Sequence, residues 1–178
     1  MDNKNKIRRV SAALRFACLV YLISSPLLTI AVWLNFEQFA AASEPFSNLP
    51  LHMELIGPLN LFLGFLVSCV PAGILMYGVW RLLLLFGLYR NGALFSPAIA
   101  NHIQVFAAML MLKVVTSPLV DILLGLVLTM NNPVGERGIS ISIGSNDLSV
   151  LFLSGVMFAI AWIMREGQRL AEENAEFI

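Results

Sequence analysis

The chain has 178 residues, of which 58% are hydrophobic and only 12% charged, with a formal net charge of zero. Soluble domains carry about 25% charged residues, and a soluble chain this apolar would expose large adhesive patches. With a mean hydropathy of +0.82, an ordinary soluble domain is excluded and a single integral-membrane domain over 1–178 is expected.

The chain opens on a basic segment, Lys4, Lys6, Arg8, Arg9 and Arg15, followed by an apolar run from about Phe16 to Phe36. A bilayer core needs roughly 20 apolar residues per helix, so this run is a first span. A secretory signal core is only about 7–15 residues long. The run is longer, so a retained anchor is expected despite the small residues Ala40-Ala41-Ala42-Ser43 beyond it. Tyr21, Ser25 and Thr29 recur every fourth residue inside it, beside the helix-bending Pro26.

The segment from Glu37 to Pro58 holds no lysine or arginine. Within it, Leu49-Pro50-Leu51-His52-Met53-Glu54-Leu55 alternates apolar and other residues, a strand-like period. His52 with Glu54 offers at most two metal ligands, fewer than a site needs, and a solvated loop pair is the plainer reading. The second span runs from about Leu59 to Trp80, with Asn60, Gly64 and Ser68 forming a small, polar ridge suited to close helix approach. Residues to Leu88 should continue that helix past the membrane surface. Asn91-Gly92 is a turn signal that ends it. Ser96-Pro97 then reads as an N-cap followed by proline at the first helical position.

The third span runs from about Val105 to Thr129. Lys113, Ser117 and Asp121 are spaced four apart and make one polar stripe on it, with Thr116 alongside. Each charge costs about 2.5–3.5 kcal/mol at a helix centre on the insertion scale, and the stripe is expected to face the interior of the bundle. Lys113 and Asp121 lie about 12 Å apart along the axis by helical rise, so they do not pair directly. Two readings stand: a ligand, ion or proton site, or interhelical glue with both charges snorkelling outward. Pro118 leaves the carbonyl of Val114 without its usual donor.

Beyond Met130, Ile139-Ser140-Ile141-Ser142-Ile143 alternates between Gly138 and Gly144. Paired with the 49–55 segment, it would make a small two-stranded β cap, isoleucines down on the helices; an irregular loop is the alternative. The fourth span runs from about Leu148 to Met164. A charged tail, 165–178, follows with no linker. From Arg165 onward its glutamates outnumber its arginines, so it is not the basic helix that adheres to anionic lipid. A negative face suits a basic protein partner; the plain alternative is a solvated helix end.

Cys18 and Cys69 both lie in apolar runs and read as buried thiols, not as a disulfide or metal clip. The only histidines, His52 and His102, lie outside the spans, which excludes a haem held by two in-span histidines. No zinc-protease, nucleophile-elbow, Walker or dinucleotide motif occurs, so no catalytic residue, metal site or cofactor is expected.

Lysine and arginine fix the orientation. The N-terminal segment, Arg81 and Arg90 of the middle loop, and Arg165 and Arg169 of the tail fall on one side, against Arg137 alone on the other. The expected fold is therefore all-α, four transmembrane helices with both termini cytoplasmic.

Two motifs carry a family resemblance. Arg165-Glu166-Gly167-x-Arg169-Leu170-x-Glu172-Glu173-Asn174 and Leu88-Tyr89-Arg90-Asn91-Gly92-Ala93-Leu94-Phe95-Ser96 resemble the closing motif and middle loop of small bacterial membrane proteins, the domain of unknown function twenty-nine seventy-five. The four-span layout is similar over nearly the whole chain. Tails in that family often close on a Leu-Thr-Val-like stretch, whereas this one ends Ala175-Glu176-Phe177-Ile178. The resemblance implies a bacterial inner-membrane protein, often encoded beside a helix-turn-helix regulator, and implies no catalytic residues. The function expected is non-enzymatic binding of a cytoplasmic partner, such as that regulator, without direct contact to nucleic acid. Arg90, Asn91, Gly92, Arg165, Glu166, Gly167, Arg169, Glu172 and Glu173 would form the docking motif. The alternative is a small transporter, channel or ligand sensor using the Lys113 stripe. Besides lipid and the regulator, a second copy of the chain is a candidate partner.

Overall fold

The computed structural model describes residues 2–40, 49–90, 97–133, 135–139, 141 and 144–175. Five α-helices account for most of them: α1 (Asp2–Leu34), α2 (Phe36–Ala40), α3 (Pro58–Arg90), α4 (Pro97–Thr129) and α5 (Ser145–Ala175), with a single 3-10 turn at Met53–Leu55. The four long helices are each apolar enough to cross a membrane. At about 1.5 Å per residue, the 33 residues of α1, α3 and α4 reach about 50 Å, well past a hydrocarbon core of about 30 Å. Only 11% of each apolar window is buried against protein, and side chains such as Phe16 (68% exposed), Val115 (68%) and Phe152 (75%) point outward. In water that surface would be prohibitive; in hydrocarbon it is the solvated state. The protein is a multi-pass membrane protein.

Two helix ends fall where the sequence predicts them, while Ser96, the expected N-cap before Pro97, lies outside the described residues. Pro97 opens α4, where its missing N–H costs nothing, and α3 ends at Arg90, one residue before Asn91-Gly92. α5 opens with half a capping box: the Gly144 N–H donates to Asp147 Oδ2 (3.0 Å), while the Asp147 N–H closes a backbone turn on the Gly144 carbonyl (3.1 Å), glycine having no side chain to return the bond. Proline interrupts three of the long helices, at Pro26, Pro71 and Pro118, but not α5. Hydroxyls cluster near two of them: Thr29 donates to the Ser25 carbonyl (3.0 Å), and Thr116 to those of Leu112 (2.8 Å) and Lys113 (3.1 Å). None of these bonds reaches the carbonyl that the neighbouring proline frees, that of Leu22 for Pro26 and of Val114 for Pro118; they tie each hydroxyl to its own helix.

The helices run up and down, and the extensive pairings follow chain order: α1 on α3, α3 on α4, α4 on α5. Close contacts fix the register. A Cβ on Gly64 would overlap the Trp33 ring, and one on Gly78 would come within 3.2 Å of both Phe106 and Met109. Arg15 reaches the backbone at Gly87. The termini of α1 and α5 therefore share one end with the 91–96 connection, here the terminal end. The connections around 41–57 and 130–144 share the other, the loop end.

The core sits at the loop end. Trp33 stacks on Phe36 (5.2 Å between centroids, 10° between planes), and both pack with Ala40 against Val120, Leu124 and Leu128 of α4. The chain turns at Asn35 so that short α2 folds over this cluster, burying Phe36 and Ala40.

No β cap is formed among the described residues. Among the described residues of the two alternating segments there is no strand; Ser140, Ser142 and Ile143 lie outside the description. Met53–Leu55 closes into a 3-10 turn, with the Leu55 N–H on the His52 carbonyl (2.9 Å). Ile139 (60% exposed) and Ile141 (58%) turn away from the helices. The physical reason is that the backbone of this connection has a different partner. The Gly138 N–H donates to Thr129 Oγ1 (3.2 Å), and the Gly138 carbonyl lies so near Gly125 that a Cβ there would come within 3.0 Å of it. A segment held this tightly along α4 has no free ladder edge at Gly138.

Candidate functional site

Polar side chains gather in four places. At the loop end, Asn60 opens α3 and is almost fully buried. Its Oδ1 accepts from the Gly57 N–H (3.3 Å) and from Asn131 Nδ2 (3.1 Å), while its Nδ2 donates to the Val127 carbonyl (2.8 Å). Asn131 also donates to the Leu55 carbonyl (2.9 Å), and buried Asn132 to those of Pro50 (2.8 Å) and Glu136 (3.0 Å). His52 Nε2 meets Glu136 Oε2 at 3.0 Å, so its carboxylate partner comes from the other connection, not from Glu54. Carboxamides suit this task because each carries both donors and an acceptor. The two connections are thus clamped together by side chains rather than by a strand ladder. Of these residues only Asn60 and His52 are singled out by the sequence. The signal for the others is the Asn131-Asn132 pair directly after a span.

The second gathering lies between α1 and α3. Arg8, Ser11, Arg15, Cys18, Leu22, Ser25, Thr29 and Trp33 follow one another at intervals of three and four, the spacing of a packing seam. Ser11, Cys18 and Trp33 are buried. Tyr21, Ser24, Ser25, Thr29 and Trp33 with Ser68 of α3 line a cleft of about 420 Å³. The hydroxyl repeat on α1 and the small ridge of α3 do meet, with Gly64 seating Trp33 and Ser68 beside the hydroxyls. Cys18 and Cys69 are free thiols.

The third is the α4 stripe. Lys113, Ser117 and Asp121 are half-buried, on a side between outward-facing Val115 and Leu119 and buried Val120 and Leu124. Ser117 lines a narrow cleft of about 180 Å³ with Pro118 and with Asp147, Leu148 and Leu151 of α5. Neither Lys113 nor Asp121 lines that cleft.

The fourth is the terminal end. Arg90 is exposed in the last turn of α3; Asn91 and Gly92 lie outside the described residues. Arg165, Gly167, Arg169 and Glu173 are exposed and Glu166 is half-buried; Glu172 belongs to α5, with its side chain outside the description. Arg169 pairs with Glu166 and, at 3.4 Å, with Glu173. Those bonds join successive turns of α5 to itself. Because Asp147 stands beside Ser117, helical rise brings the start of α4 level with about Gly167. α5 then runs on to Ala175, about 12 Å further. Arg90, the one described residue of the middle-loop half of the expected docking motif, lines a cleft with Arg8 and Arg9 rather than with the described tail residues.

No group of three or more potential metal ligands occurs among the described residues. No curated protein and no solved structure matches the chain. Its sequence matches the DUF2975 family, described as a protein of unknown function, over residues 35–178. The match begins one residue after α1, so it spans α2 to α5 and leaves the first membrane helix outside. The chain belongs to the DUF2975 family.

Proposed function

We propose that this is a non-enzymatic protein of the bacterial inner membrane, with both termini in the cytoplasm, whose tail docks a cytoplasmic partner. A helix-turn-helix transcription regulator is the favoured partner. The orientation rests on the positive-inside rule: among the described residues Lys4, Lys6, Arg8, Arg9, Arg15, Arg81, Arg90, Arg165 and Arg169 belong to the terminal end, and Arg137 to the loop end. The observation that carries the docking reading is the projection of α5 beyond α4. That length of helix keeps Leu170 about half exposed between charged residues that are paired along the helix itself. An apolar residue on a protruding, acidic helix suits a groove on a basic protein.

The test uses the full chain in detergent with the regulator encoded beside it. The full chain retains the regulator, and the chain truncated after Met164 loses it. Equal retention by both removes the tail's role. A second reading, a small-ligand sensor, is favoured by the hydroxyl-lined cleft between α1 and α3. It predicts that Lys113→Leu with Asp121→Leu leaves the ligand response unchanged while Ser25→Leu abolishes it. The opposite pattern returns the site to the α4 stripe.

A further inference from the structure

Arg8 and Arg9 of α1 and Arg90 of α3 line a single cleft of about 550 Å³ at the terminal end, floored by the small side chain of Ala12. One turn below, on the same side of α1 as Arg8 and Ala12, Arg15 lies half-buried against the backbone of Gly87. None of Arg8, Arg9 and Arg90 has a carboxylate partner among the described residues. Like charges brought to one cleft repel, and a cleft lined by one sign of charge concentrates the opposite ion. Guanidinium groups select its chemistry: their planar forks match the paired oxygens of a phosphate.

We infer that this cleft binds a phosphate group, and that an anionic phospholipid headgroup presents it. The depth favours the lipid as source. Outward-facing Phe16 opens the uncharged run of α1, and Arg8 and Arg9 stand about 10–12 Å beyond it by helical rise, interleaved with the exposed apolar side chains of Ile7, Val10 and Leu14. Their side chains reach back toward the headgroup layer, as long basic side chains do at helix ends. Basic pockets between membrane helices hold lipid headgroups by the same combination of charge and position. The site uses Arg90 but neither the 91–96 connection nor the tail, so it is independent of the docking reading, and truncation after Met164 leaves it intact.

The test is native mass spectrometry of the full chain titrated with phosphatidylglycerol or phosphatidylcholine, alongside calorimetric titration with inorganic phosphate. The wild type retains phosphatidylglycerol in preference to phosphatidylcholine. R8Q and R90Q each weaken retention about fivefold, and R8Q/R9Q/R90Q about a hundredfold, from roughly one surface arginine's contribution each. R165Q/R169Q, which removes charge from the same end but outside the cleft, leaves retention unchanged. Binding of inorganic phosphate that the triple variant loses, without lipid retention, keeps the phosphate site and reassigns its source to a soluble phosphate. The inference is overturned if the wild type binds neither ligand, if the triple variant retains lipid within twofold of wild type, or if R165Q/R169Q weakens it as much as the triple variant.

Discussion

At the loop end, polar side chains hold the protein to itself; at the terminal end, most of them face outward. Asn60, Asn131 and Asn132 spend their amides on backbone carbonyls and on one another, around the Trp33–Phe36 stack. Arg8, Arg9 and Arg90 line an open cleft, and among the described residues of the tail Arg169 pairs with Glu166 and Glu173 of its own helix. Buried amides that bridge distant segments rigidify and specify a fold. Exposed charges contribute little to stability and remain available for partners. The contrast teaches that polar groups at one end of this membrane domain are satisfied internally, whereas those described at the other are left facing outward.

Substitutions can break that contrast, and the largest effect belongs to the loop end. Gly64→Val pushes a branched side chain into the Trp33 ring and should cost about 1–3 kcal/mol, the usual range for overpacking. Thermal unfolding in detergent, followed by circular dichroism, measures it. Gly73→Ala is the control: nothing lies near that position, and stability should hold or rise by up to about 1 kcal/mol from helix propensity. Similar losses at both positions would remove the close approach as the cause.

Asn60→Leu comes next. It deletes three hydrogen bonds at a buried position, each worth about 0.6 kcal/mol on average inside membrane proteins, for a total near 1–2 kcal/mol. Asn132→Ala frees the carbonyls of Pro50 and Glu136 and should cost about 1 kcal/mol. Its clearer readout is faster proteolysis within 41–57, where the clamp is released. His52→Ala removes a pair whose partners are each about half exposed and should cost less than about 0.5 kcal/mol. At the far end of the series, Arg169→Ala or truncation after Met164 should leave the unfolding temperature unchanged. A tail variant that destabilised the protein as much as Asn132→Ala would erase the distinction between the two ends.

The sequence makes some of this architecture legible and hides the rest for physical reasons. Span number and the breaks at Arg90 and Pro97 are readable because they depend on apolar length and on backbone chemistry within a few residues. The meeting of Ser25 and Thr29 with Ser68 is foreshadowed by matching four-residue repeats on two helices. The alternation at Ile139 and Ile141 misleads because period two records an extended backbone, not the identity of its partner; here Thr129 takes the Gly138 amide. Asn132 and Pro50 lie far apart in the chain, so nothing local announces their bond. The convergence of Arg8, Arg9 and Arg90 requires the register of α1 on α3, which Gly64 and Trp33 set at the opposite end. The α4 stripe is legible as a pattern, yet only Ser117 reaches the cleft shared with α5.

α5 differs from the other membrane helices in carrying no proline. Its first turn is seated beside Ser117 and Pro118, and its last turns stand clear of the bundle. It has no proline hinge, and its one small-residue pair is Ser154-Gly155. A tilt at the Ser117–Asp147 cleft would therefore appear at Leu170 as a displacement that grows with the length of helix between them, while an axial shift would arrive undiminished.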